Sequence, residues 1–569
     1  MAPKKLTDLI AEIKILIIGH HSCTSFNDAQ VTRPSDLRNL CLVCKGLRLI
    51  AVPQLYHTVH LQLGTYSDIS VAGSMNPRNI GLQHVRNLHI YLKDGCCNQV
   101  AHAQLVIRVI LEILPEDCLE WFSWEELYTF SGDNLVQLWK KQKRLKMLEG
   151  TKLDKNVVSE IQKLPRVEDL FRGVKDLHLC PADRDSLAFC AMLVEKTSKI
   201  QSLMLRDAFD DDDETIQASE VDDTSVGPGL LTSTIFGHMQ PFDKCAPLVL
   251  KSVTLARLSL RYAADTYCRI IDFRSVTTLE VFRCPGADAF LAAISKSAGL
   301  PLKLEQLLFQ HEDNSERNGL GVLDGFLCLV SGITALTIDV VGATALPLPA
   351  GIIRHKKTLR ALNVHAWEDK KSEDEHVYEY SSISEICTSC EKLEQVAIGF
   401  PAVSLLNKEQ DSFQNFMGCF WDLPNLVTLN ITTWPQTDLR PVTIIRGGNR
   451  PSETLPSGTI ANVKLPREVY RNLLQGVAQA GFDQADSHAA GRGYSSKLAI
   501  IAFGSTNRVV ERTDSKRQFI FVKGRQVDPL GQEKALAVEL GWCLRKYVDA
   551  GPQSGVLDHQ LLRQTRPPT

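Results

Sequence analysis

Along most of the chain one short pattern of apolar and polar positions returns: an apolar residue, two variable residues, then apolar–x–apolar. Its copies centre on Leu88, Leu177, Leu203, Val253, Leu279, Leu307, Leu336, Leu362, Val396 and Leu429. The apolar–x–apolar step puts two residues, such as Leu203 and Leu205, on one face of a short strand. Between copies lie helical patterns such as Ala287–Lys296 and Ser382–Lys392. Successive copies are 89, 26, 50, 26, 28, 29, 26, 34 and 33 residues apart. The 50-residue step is close to two repeats, or to one carrying an insertion. A strand–helix unit cannot bury its apolar face alone, so stacked copies are expected to share one core. A doubly wound α/β domain also alternates strand and helix, but it does not call for ten copies of one pattern.

Most spacings sit at or just above the roughly 20–29 residues of a leucine-rich repeat. The copies resemble such an array in irregular form. The asparagine that usually follows the leucine-x-leucine unit is mostly absent, and Cys284 after Val281 is one substitute.

The first 61 residues carry a different signal. Leu6, Ile10, Ile13 and Ile17 fall on one helical face. A second helix is predicted from Arg33-Pro34-Ser35-Asp36, with proline in the first turn and an acid at the positive helix end. Leu37, Leu40, Val43, Cys44 and Leu47 form its apolar stripe, and Ala51–Leu61 runs from helix into a first strand. These residues resemble an F-box. The match is Leu6-Thr7-Asp8, then Pro34-Ser35-Asp36-Leu37, Leu42-Val43-Cys44-Lys45 and Pro53-Gln54-Leu55-Tyr56. Thr7 stands where the family usually has proline, and the loop His20–Arg33 is longer than usual.

The two resemblances imply a substrate-recognition subunit of an SCF-type cullin–RING ubiquitin ligase. The F-box would dock on a Skp-type adaptor and through it a cullin, and the repeats would hold an unknown protein substrate. Leu6, Ile10, Ile13, Pro34, Leu37, Leu40, Val43 and Leu47 carry the adaptor-facing or core pattern. Such a subunit has no catalytic residues and no cofactor; it acts by raising the local concentration of substrate lysines. The alternative is a leucine-rich-repeat interaction scaffold outside any ligase. The expected fold class is α/β, a short N-terminal helical F-box followed by an irregular leucine-rich-repeat-like solenoid.

The expected layout is an F-box-like domain over 1–61 and an array over 80–434 with insertions near 101–166 and 207–223. A linker or long loop follows over 435–458, then a terminal cap or small α/β domain over 459–551, and a disordered tail over 552–569. Within 101–166, Ala101–Leu114 reads as a helix, and Trp121, Trp124, Leu127, Tyr128 and Phe130 form an aromatic cluster. Trp139 precedes a basic run with five charges in residues 140–146. It is read as a solvated face beside a buried tryptophan. Asp207–Asp223 holds nine acidic residues and no basic one. Such a run buries little apolar surface and is expected to project from the array. Leu465–Ala478 and Glu533–Tyr547 look helical; Leu498–Phe503 and Phe519–Val522 look like strands.

Charge and composition narrow the function further. Lys+Arg is 63 against Asp+Glu 66, a net charge of −3, so no global basic excess points to nucleic acid or an anionic membrane. No stretch reaches the ~18 apolar residues of a membrane span, and the N-terminal apolar run, broken by Asp8, Glu12 and Lys14, does not read as a secretory signal. The 16 cysteines are read as reduced thiols of a cytoplasmic or nuclear protein. Cys41–Cys44 and Cys387–Cys390 have C-x-x-C spacing, but half a zinc site each does not make a tetrahedron; buried small thiols are expected instead. His20-His21 reads as a helix-end pair. No P-loop, G-x-S-x-G, H-E-x-x-H or G-x-G-x-x-G pattern occurs.

Overall fold

Each of the ten predicted apolar–x–apolar segments is a β-strand. The computed structural model describes residues 33–63, 75–92, 100–124, 129–145, 147–149, 152–153, 161–163, 173–181, 184–197, 199–206, 227–297, 302–312, 319–368, 376–401, 411–433, 467–504, 519–527 and 533–540. The sequence-based expectations for 207–223, 435–458 and 552–569, like Leu6, Ile10, Ile13 and His20-His21, lie outside them. The fold is mixed α/β, and the chain divides into two units, Met1–Gly299 and Leu300–Thr569.

In the first unit β1 (Thr58–Leu63), β2 (Asn87–Leu92), β3 (Trp121–Trp124), β4 (Met147–Glu149), β5 (Asp176–Leu179), β6 (Ser202–Arg206), β7 (Ser252–Ala256) and β8 (Thr278–Phe282) lie side by side in chain order. Every pair is parallel. In the second unit β9 (Gln306–Glu312), β10 (Ala335–Val341), β11 (Ala361–Trp367), β12 (Gln395–Ile398), β13 (Thr428–Ile431) and β14 (Ile500–Phe503) are likewise parallel. Two antiparallel strands, β15 (Phe519–Val527) and β16 (Glu533–Glu539), complete it.

The pattern residues share one register. Val59, Leu88, Phe122, Leu148, Leu177, Leu203, Val253 and Leu279 pair in series in the first unit. Leu307, Leu336, Leu362, Val396, Leu429 and Ile501 do so in the second. From Leu177 onward all of them are buried, at about 1.5–3 kcal/mol per side chain. Cys284, two residues after β8, is buried, and its Sγ lies 3.4 Å from the carbonyls of Leu255 and Phe282.

Two expectations are corrected. Residues 101–166 do not merely interrupt the array. They supply β3 and β4, which align Phe122 and Leu148 with the ladder and split the 89-residue gap into steps of 34, 26 and 29. The aromatic cluster is their packing: Phe130 lies 5.4 Å from Phe122 and 5.6 Å from Trp124, centroid to centroid. Trp139 is buried and stacks on Phe189, and Lys140, Lys143 and Arg144 are exposed. The second correction is Glu533–Glu539, a strand and not a helix. Its alanines, leucine and charges favour helix in isolation, but pairing with β15 along its own whole length decides the outcome.

The strand exits have a common geometry. Arg257, Gly342 and Gly504 each follow a strand and each adopts a positive φ, 58°, 79° and 89°. Each donates its N–H to the last residue of the neighbouring strand, Phe282, Trp367 or Ile431, at 2.8 Å. Arg283, after β8, has φ 48°. Glycine takes this backbone freely; an arginine costs about 1–2 kcal/mol there.

Strand β16 ends the sheet, and helix Arg467–Gly491 covers its outer edge. Gln475 Nε2 donates to the Ala537 carbonyl at 2.8 Å, and Gln479 Nε2 to that of Ala535 at 2.9 Å. Gln479 Oε1 accepts from Ala537 N–H at 2.7 Å. Two glutamines one helical turn apart thus occupy backbone groups that would otherwise template another strand. Gln479→Leu should free the Ala535 carbonyl and the Ala537 N–H, costing about 1 kcal/mol or more and promoting concentration-dependent self-association. Sedimentation showing a monomer with an unchanged melting temperature would contradict this.

Candidate functional site

Residues 34–56 of the F-box resemblance lie in a helical hairpin, α1 (Arg33–Val43) and α2 (Lys45–His57). Cys44 joins them in an extended conformation and caps α2. Its Sγ accepts from Leu47 N–H at 3.4 Å and its carbonyl from Arg48 N–H at 3.0 Å. Cys44 is exposed, which corrects the expectation of a buried thiol: a capping residue sits outside the stripe it starts. Cys41 is partly buried, and burial pushes its thiol up against the opposing pull of Arg48. Cys387 and Cys390 are buried, and burial raises both, Cys390 to about 11. Among the described residues no three His, Cys, Asp or Glu side chains gather as a metal site would need.

Of the candidate adaptor residues, Leu37 and Leu47 close the hairpin core with Ala51, and Leu40, Cys41, Ile50 and Leu55 pack against it. Pro34 lies in the first turn of α1. Val43 points outward, 63% exposed, and Leu42 and Leu49 of the same hairpin are 83% and 76% exposed. The described candidates Leu37, Leu40, Val43 and Leu47 thus divide between a core and a surface, and the surface adds Leu42 and Leu49. Their signal in the sequence was apolar identity off the buried stripe. Arg38, Lys45 and Arg48 are exposed around them, and no acid occurs from Leu37 to His57.

The hairpin is rooted in the sheet. Strand β1 begins at Thr58, directly after α2 ends at His57. Arg86 N–H donates to the His57 carbonyl at 2.9 Å. Tyr56 Oη accepts from Asn79 Nδ2 at 3.0 Å, and its ring fills the place a Cβ on Gly81 would need, 2.5 Å away. Arg86 Nη1 donates to the carbonyls of Gln83, Val85 and Cys118 at 2.9, 3.0 and 3.2 Å.

A second surface is the sheet face opposite the ladder's core side. In the first unit it is partly open: β3 and β5 alternate half-buried and buried positions. On this face half-buried His60 stacks on buried His89 at 4.6 Å, and half-buried Trp121 lies edge-on to His89 at 5.1 Å. In the second unit β12, β13 and β14 are buried at every position. Its polar row is internal: Gln310 Nε2 donates to Asp339 Oδ2 at 2.8 Å.

Burial lowers His178, on β5, to about 4 and His355 likewise to about 4. Between that value and the ordinary 6.5 the unfolded chain binds more protons than the folded one, so stability rises with pH across this window. Melting temperature should therefore fall as the pH drops from 6.5 toward 4, and His178→Gln should flatten the fall. An identical slope in the variant would show that His178 is charged in the folded protein.

No family model matches the chain, and no curated protein matches it. Among solved structures, a chain from the crystal structure of the Rad7 and Elc1 complex in yeast is similar at TM-score 0.37 and 14% identity. The similarity covers 74% of this chain and 88% of that one. Likeness at that level bears on neither family nor function. No described helix is long and apolar enough to cross a membrane.

Proposed function

We propose that the protein is a substrate-receptor subunit of an SCF-type cullin–RING ubiquitin ligase. Its helical hairpin docks on a Skp-type adaptor, and a leucine-rich-repeat-like solenoid holds a protein substrate. It has no catalytic residues and needs no cofactor; it works in the cytoplasm or nucleus, without nucleic acid or membrane as a partner. The observation that carries the reading is the exposure of Leu42, Val43 and Leu49 on a hairpin whose own core is already closed by Leu37, Leu47 and Ala51. Apolar side chains gathered on the surface of a rigid element mark an interaction site. The cations Arg38, Lys45 and Arg48 around them suit an apolar groove with an acidic rim. Co-purification of the full chain with a Skp-type adaptor and a cullin tests the reading. A folded chain that captures neither would be an interaction scaffold outside the ligase.

A further inference from the structure

Of the two C-x-x-C pairs, Cys387 and Cys390 are buried, whereas Cys44 is exposed and Cys41 partly so. The two residues between Cys41 and Cys44, Leu42 and Val43, belong to α1. Residues three apart on a helix carry Cβ atoms about 5–6 Å apart. A disulfide needs Cβ atoms about 3.5–4.5 Å apart and Cα atoms about 4.4–6.8 Å apart. The pair therefore stands a small adjustment from bonding distance. Cys44 can supply it, because it is the single residue between α1 and α2 and its backbone is extended, φ −160° and ψ 162°.

The bond competes with the cap of α2. Cys44 Sγ accepts from Leu47 N–H at 3.4 Å, three residues ahead. Cys41 lies three residues behind, within α1. A sulfur turned back to Cys41 abandons that N–H, one of the donors that the start of a helix cannot satisfy internally. The residues that the new ring encloses are Leu42 and Val43, both exposed on the hairpin. The approach is open to anions, since Arg38, Lys45 and Arg48 are exposed and no acid occurs from Leu37 to His57. Cys44 is the reachable sulfur and Cys41 the sheltered one.

We propose that Cys41 and Cys44 form a thiol–disulfide couple, oxidised by an anionic small-molecule disulfide of the glutathione class, whose closure uncaps α2 and resets the hairpin junction. The Cys44 thiolate attacks one sulfur of the small disulfide and breaks its S–S bond. A mixed disulfide forms, and one small thiolate leaves. The Cys41 thiolate then attacks Cys44 Sγ, the protein disulfide forms, and the second small thiolate leaves. Two electrons pass from the pair to the small molecule, and the protons of the two protein thiols end on the two thiols released. An excess of small thiol reverses both steps. The couple stands independently of the ligase reading; only its effect on adaptor docking rests on that reading.

The test incubates the reduced full-length protein with glutathione disulfide, quenches with acid, alkylates, and maps tryptic peptides by mass spectrometry. The peptide Asn39–Lys45 holds both cysteines and no other. In the wild type it should appear without alkylation or glutathione and lighter by two hydrogens. Cys41→Ser should trap glutathione on Cys44. Cys44→Ser should react about tenfold more slowly at Cys41, because attack follows access. The oxidised wild type should exchange its amide hydrogens faster over residues 45–48. Its affinity for a Skp-type adaptor should fall several-fold and return with dithiothreitol. A reduced protein that binds no adaptor would count against the ligase reading alone, since the mass and exchange readouts need no partner. The proposal is overturned if both cysteines of Asn39–Lys45 stay open to alkylation while the exposed Cys328 carries glutathione. Glutathione left on Cys44 of the wild type, or a closed ring that leaves exchange over 45–48 unchanged, would overturn it equally.

Discussion

Val43→Asp is expected to abolish most binding to a Skp-type adaptor while leaving the protein folded, whereas Leu37→Asp should lose binding because the hairpin comes apart. The two differ in where the new carboxylate goes. Val43 is exposed on the end of α1, so aspartate there is solvated in the free protein and is desolvated only against an apolar partner. The loss should be about 2–3 kcal/mol, roughly 30- to 150-fold in Kd. Leu37 is buried against Leu47 and Ala51, where an unpaired charge costs ~3 kcal/mol or more before any partner arrives. Isothermal titration and thermal melts on both variants separate the cases. Unchanged binding by a folded Val43→Asp protein would remove the hairpin surface as the docking site.

Gly286→Ala should be among the most destabilising single-methyl changes in the chain. Gly286 has φ 81°, and a Cβ there would lie 2.2 Å from the backbone nitrogen of Arg261 and 2.4 Å from its Cα. That approach is tied by Leu260 N–H donating to the Pro285 carbonyl at 2.6 Å. Backbone cannot swing aside as a flexible side chain can. About 4 kcal/mol is expected, a midpoint fall of roughly 8–16 °C for a unit of this size. Gly493→Ala is the control. Its φ is 79° and nothing lies within 4 Å of a new Cβ, so it should cost only the left-handed penalty of about 1–2 kcal/mol. Equal effects of the two would show that the chain around Arg261 relaxes.

Much of this fold is legible because each strand announces itself locally. Leu-x-Leu steps with an apolar residue three positions earlier locate ten strands by short-range alternation alone. Phe122 and Leu148 escape because an aromatic residue holds the central position of the first copy and Gly150 holds the last position of the second. Leu119-Glu-Trp-Phe122-Ser-Trp124 otherwise obeys the pattern, and Leu119 is buried as its position requires. Glu533–Glu539 was not legible, since its strand state comes from a partner in β15 and not from its own residues. The hairpin was half legible. Its stripe is real, but six residues at 3.6 per turn carry Val43 well off the face of Leu37, and only a closed core shows which apolar residues are left over. The strand-exit arginines carry no sequence signal at all: a positive φ at Arg257 and Arg283 is visible only in the backbone.

Helix α2 passes into β1 between His57 and Thr58 with no residue spent on a connection. Tyr56, Asn79 and Arg86 brace that passage from both sides. Such a joint is stiff in torsion. Whatever orients the hairpin therefore also sets the heading of the first strands.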